Sequence, residues 1–159
     1  MMGFARTAHS ETDVKIGFVD TERILREAAP AVRSQKKLEK EFEKRSQELE
    51  KLARQLQSMQ QTMEKNAVTL SESDKRAKER EFNDLTRDMQ RREREYREDL
   101  NQRRNEELAS VLDRANKAIK VIAEAEKYDI IFQEVVYRSQ RIDITEKVLK
   151  ALADPPPSK

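Results

Sequence analysis

The sequence predicts a mainly α-helical protein in which a long antiparallel helical hairpin projects from a small β-containing body. Three observations lead to this fold class. The first is composition: 40% of the 159 residues are charged, the formal net charge is only +2, and there are 2 glycines, a mixture typical of long solvated helices. The second is an apolar repeat with coiled-coil spacing through the middle of the chain. The third is that short β-rich runs lie near both ends.

The two terminal segments carry no periodic pattern. Residues 1–13 are predicted to form a flexible tail, and residues 154–159 a proline-rich tail. The first segment lacks the apolar stretch of ~7–15 residues that a secretory signal needs, but Gly3 and Ala5 have the spacing of small residues at a cleavage site. Two interpretations stay open: a cytosolic protein, and a sequence that begins at or just inside the end of an export signal.

A short strand and a short helix are predicted before the repeat. Residues 14–19 (VKIGFV) alternate apolar with other side chains, which predicts a half-buried strand. Asp20 or Thr21 can cap a helix that runs through Ala29. Pro30 then breaks or restarts this helix, because proline is tolerated only in a first turn.

The first long helix is predicted over residues 35–70. Alternating steps of three and four from Gln35 place apolar residues at eight of eleven seam positions, which is a strong coiled-coil signal. A helix of this length is roughly 54 Å long. The seam positions after Gln35 are Leu38, Phe42, Arg45, Leu49, Leu52, Leu56, Met59, Met63, Asn66 and Leu70.

The second long helix is predicted over residues 74–127, after a turn at residues 70–74. Ser71 or Ser73 can cap this helix. Its apolar repeat shifts by four residues after Tyr96, which locally straightens the supercoil. The predicted seam consists of Phe82, Leu85, Met89, Arg92, Tyr96, Leu100, Leu108, Val111, Ala115, Ile119 and Ile122.

The short turn forces the two long helices to lie antiparallel. If the chain turns near Glu72, residues whose numbers add to about 144 face each other, since both helices rise equally per residue. Arg45 then lies opposite Asp99, a polar layer that would define the register. The same geometry pairs Leu49 with Tyr96, Leu56 with Met89, and Met63 with Phe82.

The chain after the second long helix is predicted to contain two strands and a last helix. Residues 128–133 (YDIIFQ) and 135–138 (VVYR) are β-rich and close enough to form a hairpin. Asp143 is predicted to open the last helix, with Glu146 at the third helical position of a capping box. The apolar face of that helix comprises Ile144, Val148, Leu149 and Leu152.

The hairpin returns the chain to where it left, so residues 14–30 and 115–153 are predicted to meet as one α/β body. Residues 31–114 form the hairpin arm, with its tip near residues 70–74. A body this small rarely supplies more than ~3–5 kcal/mol from its own core, and its short strands have exposed edges. The sequence therefore predicts an oligomer, without determining the number of subunits. Several arms would enclose a space in which weak contacts bind cooperatively.

The residues of common catalytic and metal sites are scarce in this chain. It has no cysteine, and His9 in the predicted tail is its only histidine. A histidine-based triad or a soft-metal site therefore cannot be assembled. Gly3 and Gly17 are the only glycines, so there is no glycine-rich phosphate loop. We expect no enzymatic activity, no cofactor and no metal.

Two groups of residues are candidates for binding. A cluster near the predicted tip is rich in methionine, whose adaptable side chain suits varied apolar partners; the alternative is that these are ordinary seam residues. The cluster comprises Met59, Met63, Phe82, Leu85 and Met89.

Arginines form the second group. Arg92, Arg103 and Arg114 are eleven residues apart and so line one helix face, which could bind acidic groups or anionic lipid headgroups. The alternative is a solvated face neutralised by Asp88–Arg92 and Asp99–Arg103 pairs. Nucleic-acid binding has little support, because residues 87–104 hold seven arginines against five acidic residues and one aromatic residue.

Four short segments occur in an order that resembles one protein family. They are KIGFVDTERIL, RRNEEL, YDIIFQ and DITEKVLKAL, with the long charged hairpin between the first and second. Over residues 14–153 the chain resembles the Skp (OmpH-like) periplasmic chaperones. This family carries no catalytic motif, so the resemblance depends on the ordered set of segments.

The resemblance implies a homotrimer with a small β body and three helical tentacles. It also implies ATP-independent capture of unfolded outer-membrane β-barrel proteins in the periplasm, in a cavity between the arms, which prevents their aggregation. Some family members are proposed to bind lipopolysaccharide through basic residues of the second tentacle helix, and the residues here nearest by position are Arg92, Arg103, Arg104 and Arg114. Family members carry a signal peptide, which we presume to be removed or truncated in this sequence.

Two other functions remain as alternatives. A cytosolic prefoldin-like arm chaperone is disfavoured, because here both chain ends build the body and the turn lies mid-sequence. A structural coiled-coil scaffold is disfavoured by the β-rich ends, which a scaffold does not need.

Overall fold

The computed structural model describes residues 13–153, and the long helices dominate it. In chain order the elements are strand β1 (Ile16–Phe18), helix α1 (Thr21–Glu27), helix α2 (Ala29–Lys65), helix α3 (Glu72–Glu126), strand β2 (Ile130–Phe132), a 3-10 helix (Gln140–Ile142) and helix α4 (Thr145–Ala151). The predicted fold class, mainly α with a small β component, is confirmed. The predicted tails lie outside the described residues, except for Asp13.

The described chain divides into two compact units. One combines residues 13–31 with residues 111–153, and the other consists of residues 32–110. Helices α2 and α3 both contribute to each unit.

A small parallel sheet joins the two ends of the described chain in the first unit. Ile16 pairs with Ile130 and Phe18 with Phe132. Gly17 lies between these pairs, and a Cβ on it would approach side-chain carbons of Ile131 and Tyr128 to 3.2 Å, so a larger residue there would require these side chains to shift by a few tenths of an ångström. The two strands are thereby closely packed although more than a hundred residues separate them.

The predicted hairpin between residues 128–133 and 135–138 is wrong. The first run supplies β2, which pairs with β1, and the second forms no strand. A tight hairpin needs about two turn residues, preferably Asn or Gly with positive φ, whereas only Glu134 separates the two runs. The backbone groups along one edge of β2 pair with β1 instead.

The core of this unit packs α1, α3 and α4 around one cluster of apolar side chains. The buried members are Val19, Ile24, Ala28, Ala31, Val111, Ala115, Ile144 and Val148. The predicted cap of α1 is confirmed, because the Asp20 carboxylate accepts a hydrogen bond of 2.9 Å from the Arg23 N–H. Pro30 lies in the first turn of α2, where its missing N–H needs no partner.

The predicted capping box of α4 is not formed. The helix begins at Thr145, one residue later than a cap at Asp143 requires, and Ile144 is the N-cap. Asp143 instead accepts a hydrogen bond of 2.9 Å from the Thr145 N–H, and Glu146 forms an ion pair with Arg23 of α1. The Ile144 N–H in turn donates a hydrogen bond of 2.9 Å to the Phe18 carbonyl of β1, so contacts with both α1 and β1 surround the start of this helix.

Helix α3 ends in a left-handed residue that is not glycine. Lys127 has a φ of 57°, and the Tyr128 N–H donates a hydrogen bond of 2.9 Å to the Ala123 carbonyl. This is the hydrogen bond of a Schellman motif, which turns the chain into β2.

The second unit is a helical hairpin with its bend at residues 66–71. Helix α2 ends at Lys65 and not at the predicted residue 70, because the Thr69 and Leu70 N–H groups both donate to the Asn66 carbonyl. Ser71 caps α3 as predicted, since its hydroxyl accepts a hydrogen bond of 3.2 Å from the Asp74 N–H. The bend thus lies a few residues before the predicted turn.

Candidate functional site

The surface between α2 and α3 in the second unit is the candidate site, and charged pairs define its register. The Lys37 ammonium contacts Glu107 at 2.6 Å and the Arg45 guanidinium contacts Asp99 at 2.8 Å. A third pair joins Arg103 to Glu41 at 3.0 Å. The two residue numbers add to 144 in all three pairs, so the predicted antiparallel register and the predicted Arg45–Asp99 layer are confirmed.

A network that we call the charged layer occupies part of the seam. It consists of Ser34, Lys37, Glu41, Arg103, Glu106 and Glu107. The Glu107 side chain is only 15% exposed, and hydrogen bonds from Lys37 and then Ser34 lower the pKa of its carboxyl. Hydrogen bonds to Glu41 and then Glu106 raise the pKa of the Arg103 guanidinium. The Glu107 carboxylate and the Arg103 guanidinium therefore stay ionised at neutral pH.

The charged layer corrects the predicted seam of α3. Leu108 was expected in the seam, but it is exposed, while Arg103 and Glu107 lie between the helices. After Leu100, steps of three and four lead through residues 103 and 107 to Val111. Oppositely charged partners on α2 make polar residues acceptable at these positions.

An aromatic pair adjoins the charged layer. The rings of Phe42 and Tyr96 meet edge to face, with their centroids 5.6 Å apart, an arrangement that aromatic quadrupoles favour. The Arg45 guanidinium lies 5.5 Å from the Phe42 ring and 5.8 Å from the Tyr96 ring. Phe42 and Leu38 are the buried side chains of this unit.

Toward the bend the seam becomes shallow. Among residues 43–110, all of which the structure describes, no side chain is buried. We call residues 49–65 and 72–92 the bend half of the hairpin. An open groove of about 630 Å³ lies there between Gln55 of α2 and Leu85 and Asp88 of α3. The apolar side chains of the bend half thus remain partly accessible.

The predicted methionine-rich cluster lies in this bend half. All five members are half-buried, and they are Met59, Met63, Phe82, Leu85 and Met89. Their positions fit the alternative of ordinary seam residues, and their partial exposure also leaves apolar surface. Their role in binding stays a prediction.

The four predicted arginines differ in their surroundings. Arg92 is exposed and contacts Asp88 at 2.8 Å, which confirms the predicted Asp88–Arg92 pair. The predicted Asp99–Arg103 pair is wrong, because Asp99 contacts Arg45 and Arg103 belongs to the charged layer. The antiparallel register brings Arg45 of α2 to Asp99, while Arg103 is bound by Glu41 of α2 and by Glu106 and Glu107 of its own helix.

The other two arginines are exposed and lack an ion pair. Arg104 lines a groove with Tyr96 and Leu100, and Arg114 belongs to the first unit. Within the described part of the chain, neither has a carboxylate at ion-pair distance. Only these two members of the predicted group are therefore without a counter-charge.

The first unit has an apolar surface whose individual residues sequence reasoning did not single out, although exposed strand edges were predicted. Val136 and Tyr137 are almost fully exposed, and Ile130 and Phe132 of β2 are about two-fifths exposed. In the described chain β2 pairs on one side only, so its other edge is open. The signal was present as the β-rich run 135–138, which was assigned to a strand that does not form.

No helix in residues 13–153 is long and apolar enough to cross a membrane. The same residues contain no group of three or more side chains suited to hold a metal ion.

Comparison with known proteins identifies the family. The chain is 28% identical over 148 residues to the chaperone protein Skp of Pectobacterium atrosepticum, covering 92% of this chain and 90% of the relative. It is 29% identical over 151 residues to the chaperone protein Skp of Photorhabdus luminescens, covering 94% and 92%.

A solved structure has the same fold. It is that of a putative outer membrane chaperone (OmpH-like) from Caulobacter crescentus, with a TM-score of 0.73, 14% identity, and coverage of 94% of this chain and 89% of the other. The model of the family described as outer membrane protein (OmpH-like) matches residues 15–152. The resemblance found in the sequence is therefore confirmed, and the chain belongs to the OmpH-like family of Skp chaperones.

Proposed function

We propose that this protein is an ATP-independent periplasmic holdase that captures unfolded outer-membrane β-barrel proteins and prevents their aggregation. One observation carries the proposal: the bend half of the hairpin has half-buried apolar side chains and no buried one. Membership of the OmpH-like family supports the chaperone activity. The curated relatives carry the name chaperone, and the solved relative is titled an outer membrane chaperone.

The chemistry of the hairpin suits weak and reversible capture of an unfolded chain. Residues 31–114 hold 21 Lys and Arg against 19 Asp and Glu, so the surface is strongly hydrated but nearly neutral. Half-buried Met59, Met63 and Leu85 offer small apolar contacts between these charges. Each contact is weak, but several contacts to one client add through effective concentration. Such binding keeps a client from aggregating without an energy source for release.

The proposed assembly is a homotrimer in which several hairpins enclose the client. The open edge of β2 and the exposed Val136 and Tyr137 support self-association, because exposed strand edges and apolar patches are typical of interfaces. The size of the first unit supports it too, since a small core alone gives limited stability.

To test the holdase proposal, a urea-unfolded β-barrel protein is diluted into buffer without nucleotide, and its aggregation is followed by light scattering. Suppression at a molar excess of chaperone trimer is expected. The double variant Met63→Gln and Leu85→Gln should need a several-fold higher concentration, while Val68→Gln, at a bend residue that is 96% exposed, should behave as the wild type. Circular dichroism checks that both variants keep their helices. Absence of suppression by the wild type would refute the holdase proposal.

A separate measurement tests the assembly. Native mass spectrometry should give three chains per particle, and Val136→Asp with Tyr137→Asp should shift the protein to single chains. A wild type that is monomeric at micromolar concentration would refute the trimer.

A second candidate function is binding of anionic lipid or lipopolysaccharide, mainly by Arg104 and Arg114 of the four arginines, because Arg92 and Arg103 already have carboxylate partners. The observation that favours it is that Arg104 and Arg114 have no carboxylate partner within the described residues. Free guanidinium groups are available to phosphate. Co-sedimentation with anionic vesicles should fall in Arg104→Ala with Arg114→Ala and stay unchanged in Arg92→Ala, whose guanidinium already contacts Asp88. Equal binding by all three proteins would exclude these two residues.

A further inference from the structure

Methionine is the sulfur-containing residue of this chain that can be oxidised. The sequence has 5 methionines and no cysteine. Three of the methionines, Met59, Met63 and Met89, lie in the bend half of the hairpin, two on α2 and one on α3. The sulfur chemistry of the described residues is therefore concentrated in one part of one unit.

The three methionine side chains are exposed enough to react with an oxidant while the protein stays folded. Each is half-buried, so part of each side chain is in contact with solvent, and we expect hydrogen peroxide to reach the thioether. Each also occupies a heptad position of the seam, together with Leu56 and Leu85. Because residues 43–110 contain no buried side chain, half-buried residues alone hold the two helices together there.

In the part of the hairpin away from the bend, stronger contacts join α2 to α3. Phe42 is buried against Tyr96, and the charged layer adds the Lys37–Glu107 contact at 2.6 Å and the Arg103–Glu41 contact at 3.0 Å. These contacts involve no methionine. A change in methionine polarity therefore acts on the bend half and leaves the charged layer in place.

We infer that Met59, Met63 and Met89 form an oxidation site at which peroxide opens the bend half of the hairpin. In the reaction a sulfur lone pair attacks one oxygen of hydrogen peroxide. The O–O bond breaks and an S–O bond forms. The sulfur loses two electrons, and the other oxygen leaves as water after taking up the transferred proton. The thioether becomes a sulfoxide, and no bond of the protein is broken.

Methionine sulfoxide packs less favourably than methionine between the two helices. A sulfoxide is polar and chiral where the thioether was apolar and flexible, and a polar oxygen between apolar side chains is disfavoured unless water or a donor reaches it. Separation of α2 and α3 near the bend admits that water. Separation also exposes Leu56, Phe82 and Leu85, which the seam now half covers.

Hydrogen exchange and peptide mass measurements test this inference on the full chain without client. After peroxide treatment, all three sulfurs of the folded protein should carry one oxygen. Amide exchange in residues 52–63 and 82–89 should rise about tenfold, as expected for a local opening. Exchange in residues 34–45 and 96–107 should not change.

The matched control replaces the three sulfurs with similar volume. Met59→Leu, Met63→Leu and Met89→Leu keep apolar side chains of nearly the same size, so peroxide should leave exchange of this variant unchanged. The single variant Met63→Leu serves if the triple variant does not fold, and its response should be smaller than that of the wild type.

Three results would overturn the inference. They are complete oxidation without faster exchange, resistance of the sulfurs to peroxide in the folded protein, and an equal response of the leucine variant. None of these results depends on holdase activity, because no client is present.

Discussion

Truncation of Phe42 to alanine tests whether the aromatic pair of Phe42 and Tyr96 stabilises the hairpin. The Phe42 side chain is only 5% exposed, and its ring contacts Tyr96 edge to face at 5.6 Å. Truncation of a buried phenylalanine costs about 3–5 kcal/mol, including the cavity that it leaves. We expect a value near the lower limit, about 3 kcal/mol, because two helices can close part of a cavity and Arg45 still contacts Tyr96 and Asp99.

Native-state hydrogen exchange measures the effect in each unit separately. A loss of about 3 kcal/mol corresponds to exchange roughly 100-fold faster in residues 38–50 and 92–104, since 1.4 kcal/mol is a factor of ten. Exchange of the core residues Val111 and Val148 in the other unit should change much less. The control Val68→Ala removes an exposed side chain and should cost less than about 0.5 kcal/mol. A cost below about 1 kcal/mol for Phe42→Ala, or equal acceleration in both units, would refute the reasoning.

Two further predictions concern the charged layer and the end of α3. The pKa of Glu107 is lowered in the folded state by Lys37. The ionised Glu107 therefore contributes its full stabilisation above the ordinary pKa of about 4.3, and this stabilisation is lost as pH falls through the lower pKa of the folded state. The melting temperature followed by circular dichroism should be constant from pH 7 to about 5 and decline below about pH 4. Glu107→Gln should weaken that decline, and an equal decline in this variant would contradict the assignment. Lys127→Gly should raise the free energy of unfolding by about 1 kcal/mol, because glycine adopts the φ of 57° without strain, and urea denaturation showing no gain would exclude strain at this residue.

The heptad repeat predicted the paired helices well because helical periodicity is a local property. Of the eleven predicted seam positions in α2 and the following bend, the ten from Leu38 to Leu70 are buried or half-buried, whereas Gln35 is exposed. The register was also predictable, since a single turn between two helices determines which residues face each other. Arg45 and Asp99 meet for that reason. The binding roles of the methionine-rich cluster and of the four arginines stay predictions.

Three predictions from the sequence were wrong at places where more than one segment could pair with the same residues. Residues 128–133 could pair with the next run or with β1, and the composition of the run fits either choice. Asp99 could pair with Arg103 on the same helix or with Arg45 across the seam. The cap at Asp143 depended on contacts with α1 that no local pattern records.

The amino-acid sequence by itself determined that two long charged helices fold back on each other in one register, because side-chain spacing along a helix and the position of a turn are properties of neighbouring residues. The tertiary structure alone decided that β2 pairs in parallel with β1 and that a charged layer replaces Leu108 in the seam. Only it showed that the bend half has no buried side chain. These features depend on which of several similar partners approaches in space, and the free-energy differences between such partners are set by packing and desolvation at the contact.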